Sequence, residues 1–311
     1  MQQSFFVLSG QHVELAQDEV VSISKSYDSK TTYTTEPRLV ITKSNVPWNK
    51  IANRTTFVKA AGKIVGTFTD ISKIKLKIQK PTTFACRTIN LSSAKIDSKS
   101  LEKKAGTVLK DKWGARVSLS KPALTVYFII TDTKKYLGYS GNIPEPKRPR
   151  KPIKYPHELD WKLSRAMVNL SGLRERKTVC DPFCGTGTIL LEALSMGIQG
   201  IGIDFDFEMC GITKRNLAAN SYNGTVINSS YHHIEKIMNK IDAIVTDLPY
   251  GTASKSSTSP KKLVKDFVSI IPKKKRLVMM YKKGLDVEDL NEAKKYEIFR
   301  HKSLTRVIAV R

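Results

Sequence analysis

The apolar positions of this chain change period repeatedly, and each change predicts an element. Phe5-Phe6-Val7-Leu8 is an apolar run closed by Ser9-Gly10, which predicts a strand and a turn. Glu14 to Ile23 follows helical spacing with acids in its first turns. Arg38 to Thr42 returns to strand character, so residues 1–50 read as a small α+β unit. Lys73-Ile74-Lys75-Leu76-Lys77-Ile78 alternates strictly, predicting a strand with lysines on one face and apolar residues on the other. Phe84 to Ile89 predicts a further strand. Ser98 to Lys110 predicts a helix with Leu101, Ala105, Val108 and Leu109 on one side. Ala123 to Ile130 predicts a buried strand that turns back into Tyr136 to Ser140 as its hairpin partner. These elements make residues 51–142 a second unit.

Prolines 144, 146, 149, 152 and 156 alternate with Lys147, Arg148, Arg150, Lys151 and Lys154, which predicts a semi-rigid, extended linker over 143–156. Beyond it, apolar strands alternate with helical patterns. Glu158 to Leu170 is an amphipathic helix with Leu159, Leu163, Ala166, Met167 and Leu170 on one face. Thr178-Val179-Cys180-Asp181 runs into the glycine turn Cys184-Gly185-Thr186-Gly187, which opens into the helix Ile189 to Leu194, with Gly197 at its end. Gly200 to Asp204, Asp242 to Asp247, Arg276 to Tyr281 and Thr305 to Val310 read as strands, and Glu208 to Asn220 as a helix. This order predicts an α/β domain over 157–311: a doubly wound, mostly parallel sheet. Ligands of such sheets bind outside the carboxyl ends of the strands, so Asp181, Asp204 and Asp247 are expected in one crevice.

The charge changes the picture most. The formal net charge is +25 over 311 residues. Residues 1–50 are balanced, whereas residues 51–150 hold 21 basic against 6 acidic residues. Lys and Arg concentrated in one unit gain by displacing counterions from phosphates, so a nucleic acid is the expected partner. No run of about 18 apolar residues predicts a membrane span, and the N-terminus lacks a signal-peptide pattern. Four cysteines outside a small secreted scaffold suit a reducing, cytoplasmic interior. Cys180 and Cys184 have no second pair or nearby His, so no metal is expected.

An acid about 20 residues after a glycine turn is placed to accept from a ribose diol, which selects Asp204, with Asp206 second. That position alone also suits a dinucleotide. Asp181 at the turn opposes a pyrophosphate and suits a cationic ligand. Asp247-Leu248-Pro249-Tyr250 offers a carboxylate and a backbone carbonyl side by side, able to accept both N–H bonds of an aromatic amine. That localises the nitrogen lone pair, and the carboxylate takes the surplus proton. Pro249 fixes the loop, and Tyr250 offers a face for an extruded base. The adjacent His232 and His233 are expected to point apart in a strand, without a catalytic role. Cys184 has no base to activate it.

Asp181-Pro182-Phe183-Cys184-Gly185-Thr186-Gly187 and Asp247-Leu248-Pro249-Tyr250 resemble motifs I and IV of the amino-group methyltransferases. With Arg165 to Leu170, Lys302 to Arg306, and the basic unit containing Phe84-Ala85-Cys86-Arg87, the chain resembles the THUMP-domain tRNA guanine-N2 methyltransferases, in particular the archaeal type acting on guanosine 10. The resemblance implies a class I (Rossmann-like) methyltransferase domain behind ferredoxin-like and THUMP domains. It implies S-adenosylmethionine held by Asp181, Pro182, Phe183, Gly185, Gly187 and Asp204, and catalysis by Asp247, Leu248, Pro249 and Tyr250. It further implies that the THUMP module grips the tRNA. The basic residues of the middle unit and linker, Lys73, Lys75, Lys77, Arg87, Lys147, Arg148 and Arg150, are expected along the RNA, and the protein is expected to be a monomer. Two departures stand out. Leu248 replaces the family's proline, which leaves the backbone carbonyl in place. Asn228-Ser229-Ser230 stands where an Asp usually reads adenine, making Ser229 the replacement candidate. The loop Gly251 to Pro260 is expected to close over the flipped base. Adenine N6 in DNA, a protein glutamine, and a non-catalytic RNA-binding role are the rival readings.

Overall fold

The computed structural model describes all residues except 72, 73, 75, 77, 143–145, 147, 157, 250–258 and 302–303. The chain divides into two compact units, Met1–Asn53 with Phe57–Glu145 and Arg54–Thr56 with Pro146–Arg311.

In the first unit the elements run β1 (Gln2–Leu8), α1 (Val13–Tyr27), β2 (Thr32–Glu36), β3 (Leu39–Ser44), α2 (Trp48–Ala52), β4 (Val58–Thr67), β5 (Thr83–Asn90), α3 (Ser98–Trp113), β6 (Arg116–Val117), β7 (Leu124–Ile130) and β8 (Lys135–Ser140). All eight strands form one sheet, ordered β2-β3-β1-β4-β8-β7-β5-β6. Because β1 pairs with β4, residues 1–50 and 51–142 contribute to the same sheet. Helix α3 starts on Asp97, whose carboxylate accepts from the Ser100 N–H, and it ends at Gly114 in the left-handed region. Its Ala105, Leu109 and Trp113 face Phe84, Val126 and Phe128.

The strand expected over 73–78 is corrected in part. Ile74 and Leu76 are buried in that same core, so the alternation does send the apolar residues inward, but neither is part of a strand. Lys73, Lys75 and Lys77 lie outside the described residues. The long strand of this stretch is instead β4, where Lys59, Gly62, Lys63 and Gly66 interrupt the apolar pattern.

The second unit runs α4 (Trp161–Leu170), β9 (Thr178–Asp181), α5 (Thr188–Ser195), β10 (Gln199–Asp204), α6 (Phe207–Ala218), β11 (Thr225–Asn228), α7 (Ile234–Ile237), β12 (Ala243–Asp247), α8 (Pro260–Ser269), β13 (Arg276–Lys282), β14 (Lys294–His301) and β15 (Leu304–Val310). The sheet order is β11-β10-β9-β12-β13-β15-β14. Strands β11, β10, β9, β12 and β13 pair in parallel, and β15 runs antiparallel to β13 and β14. The doubly wound, mostly parallel sheet expected from the strand–helix alternation is therefore present. Helix α8 has Ser259 as its cap and Pro260 in its first turn, and buries Leu263, Val264, Phe267 and Val268.

Expected linker residues belong to this unit. Asn220 of the turn after α6 accepts from the Arg150 N–H at 2.7 Å and donates to the Arg150 carbonyl at 2.6 Å. Asn216 does the same for Ile153, at 3.0 and 2.9 Å. Two amide side chains thus hold the proline-rich segment like an added strand, where composition alone predicts only extended chain.

Helix α4 is joined to α5 through a buried ion pair. Arg165 Nε lies 2.8 Å from Glu192 Oε2, and Arg165 Nη2 donates to Ser195 Oγ at 2.7 Å. The two charged side chains are 2% and 3% exposed. Removing one partner leaves the other charge buried without its partner, which costs far more than an exposed pair would. Arg165→Ala is expected to lose about 3–5 kcal/mol of stability in urea unfolding. A loss below about 1 kcal/mol would show that the pair does not anchor α5.

Candidate active site

Three carboxylates end three neighbouring parallel strands. Asp181 ends β9, Asp204 ends β10 and Asp247 ends β12. In register Asp181 lies opposite Gly202, and Cys180 opposite Ile244. Asp204 therefore stands two positions beyond the residue opposite Asp181, and Asp247 three beyond the residue opposite Cys180, with Asp181 recessed between them. The three acids thus stand together at the carboxyl edge of the sheet, the edge at which the strand pattern expects a ligand crevice.

Asp181 is fully buried and pushed up to about 7, chiefly by burial. Thr246 Oγ1 donates to it at 2.7 Å and the Phe183 N–H at 3.2 Å, which favours the charged form, while Asp247 and Asp204 oppose it. Burial also raises Asp204. Asp247 is raised by burial in spite of Arg306 beside it. Three carboxylates that each resist ionisation favour a ligand bringing a positive charge into the crevice.

The glycine turn is held from three sides. Gly185 and Gly187 take left-handed backbone angles, φ +49° and +84°. A side chain at 187 would come within 2.8 Å of Thr213 Cγ2. Asp204 Oδ2 accepts from the Gly185 N–H at 2.8 Å and Oδ1 from the Asp206 N–H at 3.0 Å. Asp204 thus fixes the turn as well as facing the crevice, and its remaining lone pairs are available to a diol. From α6, Thr213 Oγ1 donates to the Gly185 carbonyl at 2.6 Å and Asn216 Nδ2 to the Thr186 carbonyl at 3.0 Å. From the proline-rich segment, Lys151 Nζ donates to Thr186 Oγ1 at 2.8 Å, to Thr188 Oγ1 and to Glu158. Burial holds the Lys151 ammonium below its ordinary range, and Glu158 offsets part of that. Sequence patterning did not point to Thr213, Asn216 or Lys151. Their spacing from the turn is long and their types are ordinary for helix and linker.

Phe183 is half-buried and packs between the ring of Tyr231, stacked at 5.2 Å, and the edge of Phe267 at 5.3 Å. Its ring supports the turn from the α8 side. Pro182 is buried in the turn itself. Ser229 donates its N–H to the Asp204 carbonyl at 3.0 Å, and Asn228 Nδ2 donates to the Asp204 and Phe205 carbonyls, each at 3.0 Å. The Asn228-Ser229 stretch therefore supports the acidic loop. Phe205 and Phe207, 53% and 80% exposed, flank Asp206, the cap of α6, just beyond the carboxyl end of β10. Exposed Phe at two positions beside a strand-ending acid is the signal that strand patterning overlooked.

Leu248 is buried, and its N–H donates to the Met280 carbonyl at 2.9 Å, which fixes the peptide following Asp247. Pro249 follows it. Tyr250 and most of the loop Gly251 to Pro260 lie outside the described residues. Arg306 pairs with both Asp247 oxygens, with Nη1 at 2.8 Å from Oδ2 and Nη2 on Oδ1. His232 and His233 occupy a single 3-10 turn instead of the expected strand, and His232 faces Glu235 at 3.1 Å.

The cations expected along RNA divide in the same way. Arg87 donates to the Leu119 carbonyl at 2.7 Å and sits 3.9 Å from Glu102. Arg148 lies over the Trp161 ring at 4.3 Å, and Arg148 and Arg150 are exposed. Lys147 lies outside the described residues. Among the described residues no group of three or more His, Cys, Asp or Glu is arranged to hold a metal ion, and no helix is long and apolar enough to cross a membrane.

Residues 148–307 match the family model described as RMKL-like, methyltransferase domain, and residues 3–215 match one described as DNA methylase. The chain is 31% identical to the tRNA (guanine(10)-N2)-dimethyltransferase of Methanothermobacter thermautotrophicus, over 98% of this chain and 97% of that protein. It is 28% identical to the enzyme of the same name from Methanocaldococcus jannaschii, over 98% of each chain. The solved structure of TrmN from Thermus thermophilus superposes with a TM-score of 0.60 at 16% identity, covering 100% of this chain and 99% of that one, and so shares the fold.

The Asp181 carboxyl makes a pH prediction for this crevice. Below about 7 it is largely protonated and offers no charge; above that it is an anion. Affinity for S-adenosylmethionine, measured by calorimetry, is expected to rise between pH 5.5 and 7, by at most about tenfold per unit. Asp181→Asn is expected to flatten that rise. An affinity independent of pH in the unaltered protein would remove Asp181 from the ligand's cationic end.

Proposed function

This chain belongs to the tRNA (guanine(10)-N2)-dimethyltransferase family, with its RMKL-like methyltransferase domain, and on that premise we propose that it methylates the exocyclic N2 amine of a guanosine in tRNA, at position 10. The observation that carries the reading is the juxtaposition of Asp247 and the Leu248 carbonyl with the carboxylate crevice around the glycine turn. Bound S-adenosylmethionine supplies an electrophilic methyl on a sulfonium sulfur. The residues present suit that molecule. Asp204 faces a ribose diol, Phe205 offers an apolar face to adenine, and Asp181 balances the cationic methionine end.

The reacting amine belongs to a base turned out of its stack, since a paired guanine cannot bring N2 into a crevice at a sheet edge. The Asp247 carboxylate and the Leu248 carbonyl accept its two N–H bonds. The lone pair is then withheld from the ring and aimed along the line of transfer. The methyl that the nitrogen gains would leave its sulfur as a neutral thioether, which keeps the electron pair of the broken S–C bond; the nitrogen, cationic for the moment, passes its surplus proton to Asp247. Tyr250, next after Pro249 in the chain, supplies an aromatic ring for the base to stack on.

The basic first unit, which contains Arg87, binds the tRNA, and exposed Arg148 and Arg150 of the second unit follow its backbone. The DNA-methylase match ends at residue 215, before Asp247, whereas the tRNA-modifying relatives match over nearly the whole chain. That difference favours tRNA over adenine N6 in DNA.

Unmodified tRNA transcripts incubated with the protein and labelled S-adenosylmethionine are expected to gain methyl groups, located by mass spectrometry at guanine N2 of position 10. Asp247→Ala is expected to slow transfer by about 10²- to 10⁴-fold while leaving tRNA affinity unchanged. Equal transfer by the two proteins would refute the catalytic role, and binding without transfer by both would refute the enzyme.

A further inference from the structure

The two acceptors that the amine requires already share a donor. Arg306 spans both Asp247 oxygens, and its Nη2 also lies 3.3 Å from the Leu248 carbonyl oxygen. It projects from β15, in a run of otherwise apolar residues, Val307 to Val310. Its side chain is 2% exposed, while that of Asp247 keeps 20% of its surface open. The guanidinium therefore approaches from inside the protein, and the open side of the pair belongs to the carboxylate. Each carboxylate oxygen and each carbonyl has two lone pairs, so the guanidinium uses some and leaves others facing outward. A planar fork also imposes a geometry that an ammonium does not.

We propose that Arg306 is a positioning residue that fixes the Asp247 carboxylate and the Leu248 carbonyl as one two-acceptor clamp for the target amine. The inference rests on the methyl-transfer reading for its consequence, but the contact itself stands on the geometry. The backbone is fixed to match. The Leu248 N–H is held by Met280 of β13, and β13 pairs directly with β15, where Met280 lies opposite Ile308 and Lys282 opposite Arg306. The loop after Asp247 is thereby tied to β15 by the guanidinium and to β13 by its own backbone.

It also sets the charge. Among the described residues, Arg306 from β15 and, through charge only, Arg300 from β14 favour the Asp247 anion, while Asp181 at the end of β9 and Asp247 disfavour each other's ionisation. Without Arg306, burial and Asp181 would be opposed by the charge of Arg300, and the anion would lose its bonded partner. Asp247 would then hold its proton to higher pH and enter the reaction unable to accept the amine's.

The test compares Arg306→Lys and Arg306→Met with the unaltered protein. In protein carrying ¹³C-labelled aspartate, with the Asp247 signal identified through Asp247→Asn, the carboxyl titration midpoint is expected to rise by about one unit or more in Arg306→Met. It is expected to stay near the unaltered value in Arg306→Lys. In single-turnover transfer to tRNA, Arg306→Met should move the acid limb of the pH–rate profile upward. Arg306→Lys should leave that limb in place and lower the rate about tenfold, with KM for tRNA unchanged, because a point charge cannot hold both acceptors. Binding of S-adenosylhomocysteine, measured in parallel, reports that each variant is folded. An unchanged midpoint in Arg306→Met, or transfer by Arg306→Lys equal to that of the unaltered protein, would overturn the proposal. Faster transfer by Arg306→Met would overturn it too, since Arg306 would then be an occupant that the substrate must displace. Should Arg306→Met not fold, Arg306→Lys decides by the rate and limb alone. Should the unaltered protein transfer no methyl, the function reading fails, while the titration still decides whether Arg306 holds Asp247.

Discussion

Three like charges at the ends of adjacent parallel strands are the constraint on which this methyltransferase unit depends. A parallel sheet places the carboxyl ends of β9, β10 and β12 side by side, and each ends on an aspartate. Such a cluster is unfavourable in the protein alone. Each carboxylate is raised by burial, and Asp181 is raised further by both neighbours. Structure around the crevice offsets part of that cost: two backbone N–H groups for Asp204, Thr246 for Asp181, and Arg306 for Asp247. What remains is an appetite for positive charge, which a sulfonium ligand with an ammonium group satisfies.

The same groups do structural and chemical duty. Asp204 holds Gly185 and, in the proposed function, also accepts from a ribose; Asp247 is tied through Arg306 to β15 and, in the same proposal, accepts from the amine. Positions that must bind and also hold their own loop in place lose less freedom when ligand arrives, which favours binding. The glycine turn shows this most fully, with Asp204, Thr213, Asn216 and Lys151 all hydrogen-bonded to residues 185–188.

Much of this was legible from residues alone, and the rest was hidden for identifiable reasons. Asp181, Asp204 and Asp247 could be placed because each ends an apolar strand run, and strand ends of a parallel sheet share an edge. The glycine turn could be placed because its backbone angles demand glycine. Arg306 was visible only as part of a stretch resembling the family, since one arginine entering an apolar strand gives no sign of what it meets across the sheet. Strand β14 alternates correctly at Tyr296 and Ile298, but lysines, glutamate and arginine around them mask the run. The alternation at 73–78 misled in the other direction. Ile74 and Leu76 are buried as the alternation predicts, but apolar residues can be covered by the core without their chain joining a ladder. Asn216 and Asn220 clamp the proline-rich segment through backbone groups, which no side-chain pattern in that segment records.

The relative placement of sulfur and acceptors is the point on which all of the chemistry turns. A crystal structure with S-adenosylhomocysteine bound measures it directly. The sulfur is expected on the Asp247 side of the glycine turn, facing the Leu248 carbonyl across a gap sized for one methyl and one amine nitrogen, with the ribose hydroxyls on Asp204. A sulfur turned away from Asp247, or a ribose held by other residues while Asp204 touches only its own loop, would contradict it.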